Sequence, residues 1–414
     1  MKSWRFWTSA GSVPLWAAAA VLAWACWDWT ANRAIASELA RLQDSGQPVR
    51  NVQCAPPGIP DADNAALLYV RALPLFTETS RPVEEFATDW TKPPTASVRD
   101  GARTWVSRNG YPLRLIREGT RRSAARWPMD WSRGVAMSFP SLLGCRRVVQ
   151  LLGASAPLAA DDGRLGEAEE CLVTALRFAR ALDVEPVLII QMIGISIDMM
   201  AADIAQGLLG RGIVPGAALR AETARVTEDA ARRGMLGRCF AADRAAIIDA
   251  VLRDGLTTLA TELRTPSWIA VAAVPYFKHD LAHYSRSMQI LIDAAEGRRE
   301  NDAALEQDVQ EAMEAGGIIS KTAIPGVSKT IEATQSGASR RHLLRIAVEG
   351  ACEPRIGGKW PATWPALGDS IDPFSGKPFR LIATEKEILI YGVGRDRVDD
   401  GGHPTKDETF RFAR

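Results

Sequence analysis

The sequence predicts a mainly α-helical protein: an N-terminal transmembrane helix, an irregular all-α body of helical hairpins, and a small C-terminal α+β module with a β-hairpin. Three observations carry that prediction. Residues Phe6 to Trp27 contain no charged side chain, about the ~20 residues a helix needs to cross a hydrocarbon core. Apolar residues between Leu142 and Gly210 recur with a helical period. Beyond Thr330 the pattern changes, and two short β-rich segments flank a polar turn.

The 414 residues are enough for more than one packed unit. A hydrophobic content of 47% with 24% charged residues is that of a globular chain with a real core. The net charge of +1 gives no general reason to expect nucleic acid or an acidic substrate. Six cysteines, at 26, 54, 145, 171, 239 and 352, form no Cys-x-x-Cys pair, which excludes a zinc ribbon and a thioredoxin-type motif. Free, buried thiols are expected.

The N-terminal run has the marks of an anchor. Trp4, Trp7, Trp24, Trp27 and Trp29 cluster at its two ends, where indole rings favour the headgroup zone. Lys2 and Arg5 precede it and Asp28 follows it, which predicts a cytoplasmic N-terminus, a single pass through the inner membrane and a periplasmic or otherwise extracytoplasmic bulk. Ala23-Trp24-Ala25 resembles a cleavage site, but an uncleaved anchor is the favoured expectation, and the residues before Cys26 depart from a lipobox. Val187 to Ile197 is apolar but short, contains Gln191 and is followed by Asp198 and Asp203, so a buried helix is expected there. Trp268 to Phe277 is shorter still and broken by Pro275. One membrane pass follows. The expected divisions are 1–30 (head and anchor), 31–60 (stalk and linker), 61–328 (exported helical domain) and 329–414 (C-terminal module).

Along the chain, Ala31 to Leu42 predicts a helical stalk, and the prolines from Pro48 to Pro60 a linker. Asp61 to Asn64 opens a helix through Phe76, its acids suiting the helix dipole. Thr79 to Pro140 reads as irregular. Within it the basic stretch Arg114 to Arg133, with Trp127 and Trp131, suits a solvated arginine face over buried indoles, or contact with anionic lipid or glycan, rather than nucleic acid. Leu143, Val148, Leu151, Leu152 and Leu158 form one stripe, Gly163 breaks the helix, and Ala168, Leu172, Ala175, Leu176 and Ala179 form the next stripe. This hairpin resembles one tetratricopeptide unit, although Leu152 and Ala159 stand at the repeat's Trp and Tyr positions, so a hairpin in an irregular array is expected. Gly234 and Gly237 predict a turn. Further helices are expected at Gly216–Arg233, Ala241–Leu263, Leu281–Ala295 and Leu305–Ala315, punctuated by Pro266, Pro275 and Gly316-Gly317. Thr330 to Glu349 predicts a last helix, and Phe379–Ala383 with Ile388–Val393 a hairpin.

The C-terminal order is a helix, Gly358-Lys359-Trp360-Pro361, Asp372-Pro373-Phe374-Ser375-Gly376-Lys377-Pro378-Phe379-Arg380, the hairpin, Tyr391-Gly392-Val393-Gly394-Arg395-Asp396, then Asp399-Asp400-Gly401-Gly402. It resembles the globular end of the type II secretion major pseudopilin. It also looks like a group of membrane-anchored bacterial proteins, prominent in planctomycetes, that carry the same tail on a long helical body. The resemblance covers about the last fifth of the chain. It implies a Ca²⁺ loop, with Asp396, Asp399, Asp400 and Asp407 as the oxygen donors a hard cation takes. The pseudopilin processing site is absent around Gly11-Ser12-Val13, and the helical body has no counterpart in that family.

One other constellation has metal-site spacing. In His279-Asp280-Leu281-Ala282-His283 the imidazoles at i and i+4 share a helix face, as in zinc peptidases. Asp280 replaces the usual Glu, and Glu296, Glu300 and His342 are candidates for a third ligand. No Gly-x-Ser-x-Gly, phosphate-loop or dinucleotide fingerprint is found. The expected function is a membrane-anchored envelope scaffold or interaction protein beside a secretion or cell-surface assembly, its partners the inner membrane and other envelope proteins. The alternative is a membrane-tethered zinc hydrolase built on His279 and His283.

Overall fold

The computed structural model describes residues 13–88, 94–139, 141–225, 229–262, 267–299, 303–353, 364–384 and 387–413. The basic head with Trp4 and Trp7, Pro266, Glu300 and the Gly358–Pro361 motif lie outside them. The chain is mainly helical and ends in a small antiparallel sheet. It divides into two compact units, each assembled from segments distant in sequence: Met1–Ala55 with Trp131–Met137 and Gly237–Ser328, and Pro56–Asp130 with Ser138–Leu236 and Lys329–Arg414. The stretch 61–328, expected as one helical domain, therefore contributes to both.

The first unit is built on α1 (Val13–Asp44). The described part of the charge-free run and the expected stalk form one uninterrupted helix. Its lower half presents Ala31, Ile35, Glu38 and Leu42, spaced 4-3-4 and all buried, the repeat by which one helix packs along another.

The second unit contains α2 (Ala65–Ala72), α3 (Arg81–Thr88), α4 (Ala96–Arg108) and α5 (Gly110–Gly119). The start of α2 lies later than the acids suggest. Asp61–Asp63 is a turn, and Asn64 caps the helix, its Oδ1 accepting Ala66 N–H at 3.1 Å. The expectation of irregular chain between Thr79 and Pro140 is corrected by α3–α5. These helices are short and strongly amphipathic, so packing of one face onto a larger core stabilises them where local propensity would not. Trp105 and Trp127 are buried, their indole N–H groups donating to the Thr77 and Ala181 carbonyls. In the first unit, a 3₁₀ turn over Trp131–Ala136 buries Trp131, whose carbonyl accepts Asn51 Nδ2 at 2.8 Å.

The core of the second unit is α6 (Leu142–Asp161), α7 (Leu165–Leu182) and α8 (Leu188–Gly210), with α9 (Ala217–Arg225) against α7. Gly163 makes the turn between α6 and α7 with φ 75°. All five predicted α7 positions are buried, as are Val148, Leu151, Leu152 and Leu158 on α6. Leu143 faces solvent instead.

Next come α10 (Asp229–Glu262), α11 (Ser267–Ala295), α12 (Ala303–Ala315) and α13 (Ile318–Ala351). Two expected breaks are absent. Gly234 and Gly237 lie inside α10, and a Cβ on Gly237 would come 2.5 Å from Glu296 Cγ, so Gly237 allows close approach rather than a turn. Pro275 lies inside α11. After α14 (Pro365–Gly368), strands β1 (Arg380–Ala383), β2 (Glu387–Gly392) and β3 (Glu408–Ala413) form the sheet in that order. The hairpin pairs Leu381 with Ile390. Sequence reading missed β3, which pairs Phe410 with Ile390 and packs on α8.

Candidate functional site

In the first unit the HDLAH motif lies on α11 as expected, but each polar member holds another element. Asp280 is buried and caps α13: its carboxylate accepts Gly317 N–H at 2.8 Å, Ile319 N–H at 2.7 Å and Ser320 Oγ–H at 2.7 Å. Tyr276 Oη accepts Ile318 N–H at 3.1 Å. Together they satisfy donors that a helix start leaves open. His283 Nε2 donates to the Ala312 carbonyl at 2.8 Å, near the end of α12, and His279 Nε2 lies 3.3 Å from Thr30 Oγ1 on α1. Glu296 pairs with Arg298, and His342 belongs to the other unit, where its ring lies 5.9 Å from that of Phe379. Among the described residues no three His, Cys, Asp or Glu side chains are grouped as a metal would require.

The C-terminal loop in the second unit keeps its four acids close in sequence and gives each a protein partner. Asp396 Oδ1 accepts Val398 N–H at 3.1 Å. Asp399 accepts Gly401 N–H at 3.1 Å and pairs with Arg380 at 3.1 Å. Asp400 pairs with Lys406 at 2.8 Å. Asp407 is buried and accepts the Gly402 and His403 N–H groups at 2.7 and 2.9 Å. These hydrogen bonds and ion pairs close the loop on itself. The neighbouring motif is structural too. Asp372, fully buried, accepts Phe374 N–H at 3.2 Å, Val393 N–H at 3.1 Å and Ser375 Oγ–H at 2.7 Å. A Cβ on Gly394 would lie 1.6 Å from the Lys406 carbonyl, which fixes glycine there.

A cleft of ≈ 330 Å³ in the second unit is lined by Arg103, Arg114, Arg117 and Arg164 with Glu167 and Cys171. Its arginines are largely answered by acids. Asp162 takes Arg103 at 2.5 and 2.9 Å and Arg164 at 2.8 Å, and these hydrogen bonds hold its carboxyl well below the usual range. Arg114 lies over the Tyr111 ring. Such matched charge gives little purchase to a phosphate backbone.

Sequence reading missed a polar cluster inside the first unit. Arg244 is fully buried on α10, where Nη1 donates to Gln289 Oε1 at 3.0 Å and Nη2 to Gln47 Oε1. Burial lowers its pKa to about 10 and raises Asp243 to about 7. Burial also pushes the Cys54 thiol up to about 12, so it stays protonated and is no activated nucleophile. Burial would raise Glu38, but hydrogen bonds from Arg41 and Ser285 outweigh it and the net shift is downward. The one signal was Asp243-Arg244 in the apolar pattern from Cys239 to Ile248. All six cysteines are free thiols.

The remaining feature is the upper end of the first unit. Leu15, Trp16, Val21 and Leu22 on α1 are exposed, Leu22 by 66%. Polar contacts fasten α1 to α11: Trp24 Nε1 donates to the Ala272 carbonyl at 3.1 Å, Asp28 pairs with Lys278 at 2.8 Å, Thr30 meets His279, and Ser285 Oγ donates to Glu38 at 2.6 Å. Both residue numbers rise together, so the helices run parallel. Among the described residues, a different helix is the one long and apolar enough to cross a membrane: α8, with a hydropathy of 1.7 and just over half of its apolar window buried in its own unit. No protein-family model matches the chain, and no curated protein or solved structure is significantly similar to it.

Proposed function

We propose that this chain is a membrane-anchored scaffold of the cell envelope, held in the inner membrane by the upper half of α1 and presenting its helical units to other envelope proteins. One observation carries the reading. The charge-free upper half of α1 is exposed on every side from Leu15 to Ala23, while the lower half of the same helix is packed. A stretch of apolar surface that size is costly in water and favourable in hydrocarbon. Trp27 and Trp29 stand at its lower end, and Arg33 lies over the Trp29 ring at 4.8 Å, an arrangement suited to the headgroup zone. The side chains that would serve a hydrolase instead hold α1, α12 and α13 in place, which favours a structural role for His279, Asp280 and His283. The pseudopilin-like order of motifs at the C-terminus points to a secretion or cell-surface assembly as the setting.

The test combines cross-linking in intact membranes with elemental analysis of the purified full chain. The scaffold predicts the same cross-linked partners for the wild type and for His279→Ala/His283→Ala, with no stoichiometric zinc in either. Stoichiometric zinc lost in that variant, together with a lost hydrolytic activity, would replace the scaffold with the tethered hydrolase.

A further inference from the structure

The charge-free stretches of α1 and α11 lie far apart in sequence, yet both end on the same ion pair. Within α1 the first charged residue is Asp28; within α11 it is Lys278, and the two are joined at 2.8 Å. Below that pair both helices are packed and carry polar partners, among them Glu38 with Ser285. Above it both are apolar and become exposed. Phe277 and Pro275 are buried, whereas Ala272, Val271 and Ile269 are exposed, Val271 by 54%. The parallel course of the helices, set by the Trp24–Ala272 and Asp28–Lys278 contacts, puts the two apolar ends at the same level.

From this juxtaposition we propose that the first turns of α11, residues 267–277, are a second membrane-inserted segment, dipping beside α1 into the leaflet nearest the helical body. The proposal rests on α1 being the anchor. The occupant of the exposed α11 face is lipid because that face continues the all-round apolar surface of α1, and the Asp28–Lys278 pair gives both helices one water boundary. Depth follows from helix geometry. Residues 268–277 rise about 15 Å at 1.5 Å per residue, half of a hydrocarbon core of about 30 Å. The segment enters one leaflet and does not cross, and Arg264, just before it in sequence, keeps the dip shallow. The indole N–H of Trp24, which hydrocarbon would leave without a partner, is satisfied by the Ala272 carbonyl. The protein would thus grip the bilayer at two places joined by an ion pair, which fixes the tilt of the first unit as a single helix cannot.

Photolabelling the unsubstituted full chain in lipid vesicles with an apolar diazirine dissolved in the bilayer tests this directly, with the tagged peptides mapped by mass spectrometry. Tags on both 13–27 and 267–277, with the exposed helix α12 untagged, are expected. Tags on 13–27 alone would overturn the α11 proposal and leave the anchor standing. Tags on neither would remove the anchor and the proposal together. As a second measurement, Val271→Asp should cut tagging of 267–277 at least several-fold while leaving 13–27 tagged; unchanged tagging would contradict lipid contact at that face.

Discussion

Helix α8 is long and apolar enough to cross a membrane and the described upper half of α1 carries no charge, yet the two sit in opposite surroundings. Helix α8 is packed against α6, α7 and β3, with Ile190, Ile195, Ile197, Ala201 and Ile204 buried. The upper half of α1 is exposed on all sides. Hydropathy gives each the capacity to enter lipid, and packing partners decide which one is free to do so. Helix α8 carries features that require protein around it. Gly194 lets α7 approach so closely that a Cβ would come 2.9 Å from Asp183 Oδ1. Asp198 is fully buried and pairs with buried Arg341 of α13 at 3.4 Å. In the described upper half of α1, by contrast, no charge appears before Asp28.

The same substitution placed in each helix should separate them most sharply. Ile197→Arg puts an unpartnered charge into the α8 core and should cost about 4 kcal/mol or more, enough to abolish a cooperative melt in detergent. Leu22→Arg should leave that melt within about 0.5 kcal/mol of wild type while weakening membrane retention. Equal effects on folding would break the comparison.

The buried pair sharpens it next. Asp198→Ala removes a buried ion-pair partner of Arg341 and should cost about 3–5 kcal/mol in denaturant unfolding. Replacing both, Asp198→Leu with Arg341→Met, should recover most of that loss. If the double variant is as unstable as the single, the pair is not what makes α8 a core helix.

A smaller effect is expected inside the first unit. Asp243 has a folded pKa of about 7 against an ordinary 3.8. The folded chain therefore keeps a proton that the unfolded chain has released between those values. Its contribution to stability is full below pH 4 and is lost as pH rises through about 7. Asp243→Asn should flatten that decline and stabilise the protein at pH 8 by on the order of 1–3 kcal/mol. An unchanged pH profile of the melting temperature would show that the carboxyl is hydrated. A smaller effect still belongs to the α13 cap: Asp280→Ala should cost about 1–2 kcal/mol. His279→Ala should cost less, having one long contact to lose.

How much of this was legible in the sequence follows from the range of the forces involved. The α6–α7 hairpin was readable because Gly163 and the Ala168-Leu172-Ala175-Leu176-Ala179 stripe are local signals with a helical period. The β1–β2 hairpin was readable because its signal, two β-rich segments flanking a polar turn, is local as well. Strand β3 was not, since Glu408 to Ala413 gains its register only from β2 and its cover from α8. Helices α3–α5 were hidden by prolines, tryptophans and arginines whose amphipathic order pays off only against a core. At the candidate sites the sequence pointed to clusters whose partners it could not show. Asp280 has the spacing of a catalytic acid, and only the fold brings the start of α13 onto it. Asp407 has the company of a cation ligand, and only the loop's return turns Gly402 N–H toward it. The alignment of Asp28 with Lys278 depends on how two helices pack and leaves no trace in either stretch alone.

The most direct test of the account is alkaline carbonate extraction of membranes from cells expressing the full chain, with Leu22→Arg alongside. The account predicts that the wild type stays in the membrane pellet and that the variant is released in folded form. Wild-type protein recovered folded in the supernatant would contradict it, and the exposed half of α1 would then have to be covered by protein rather than by lipid.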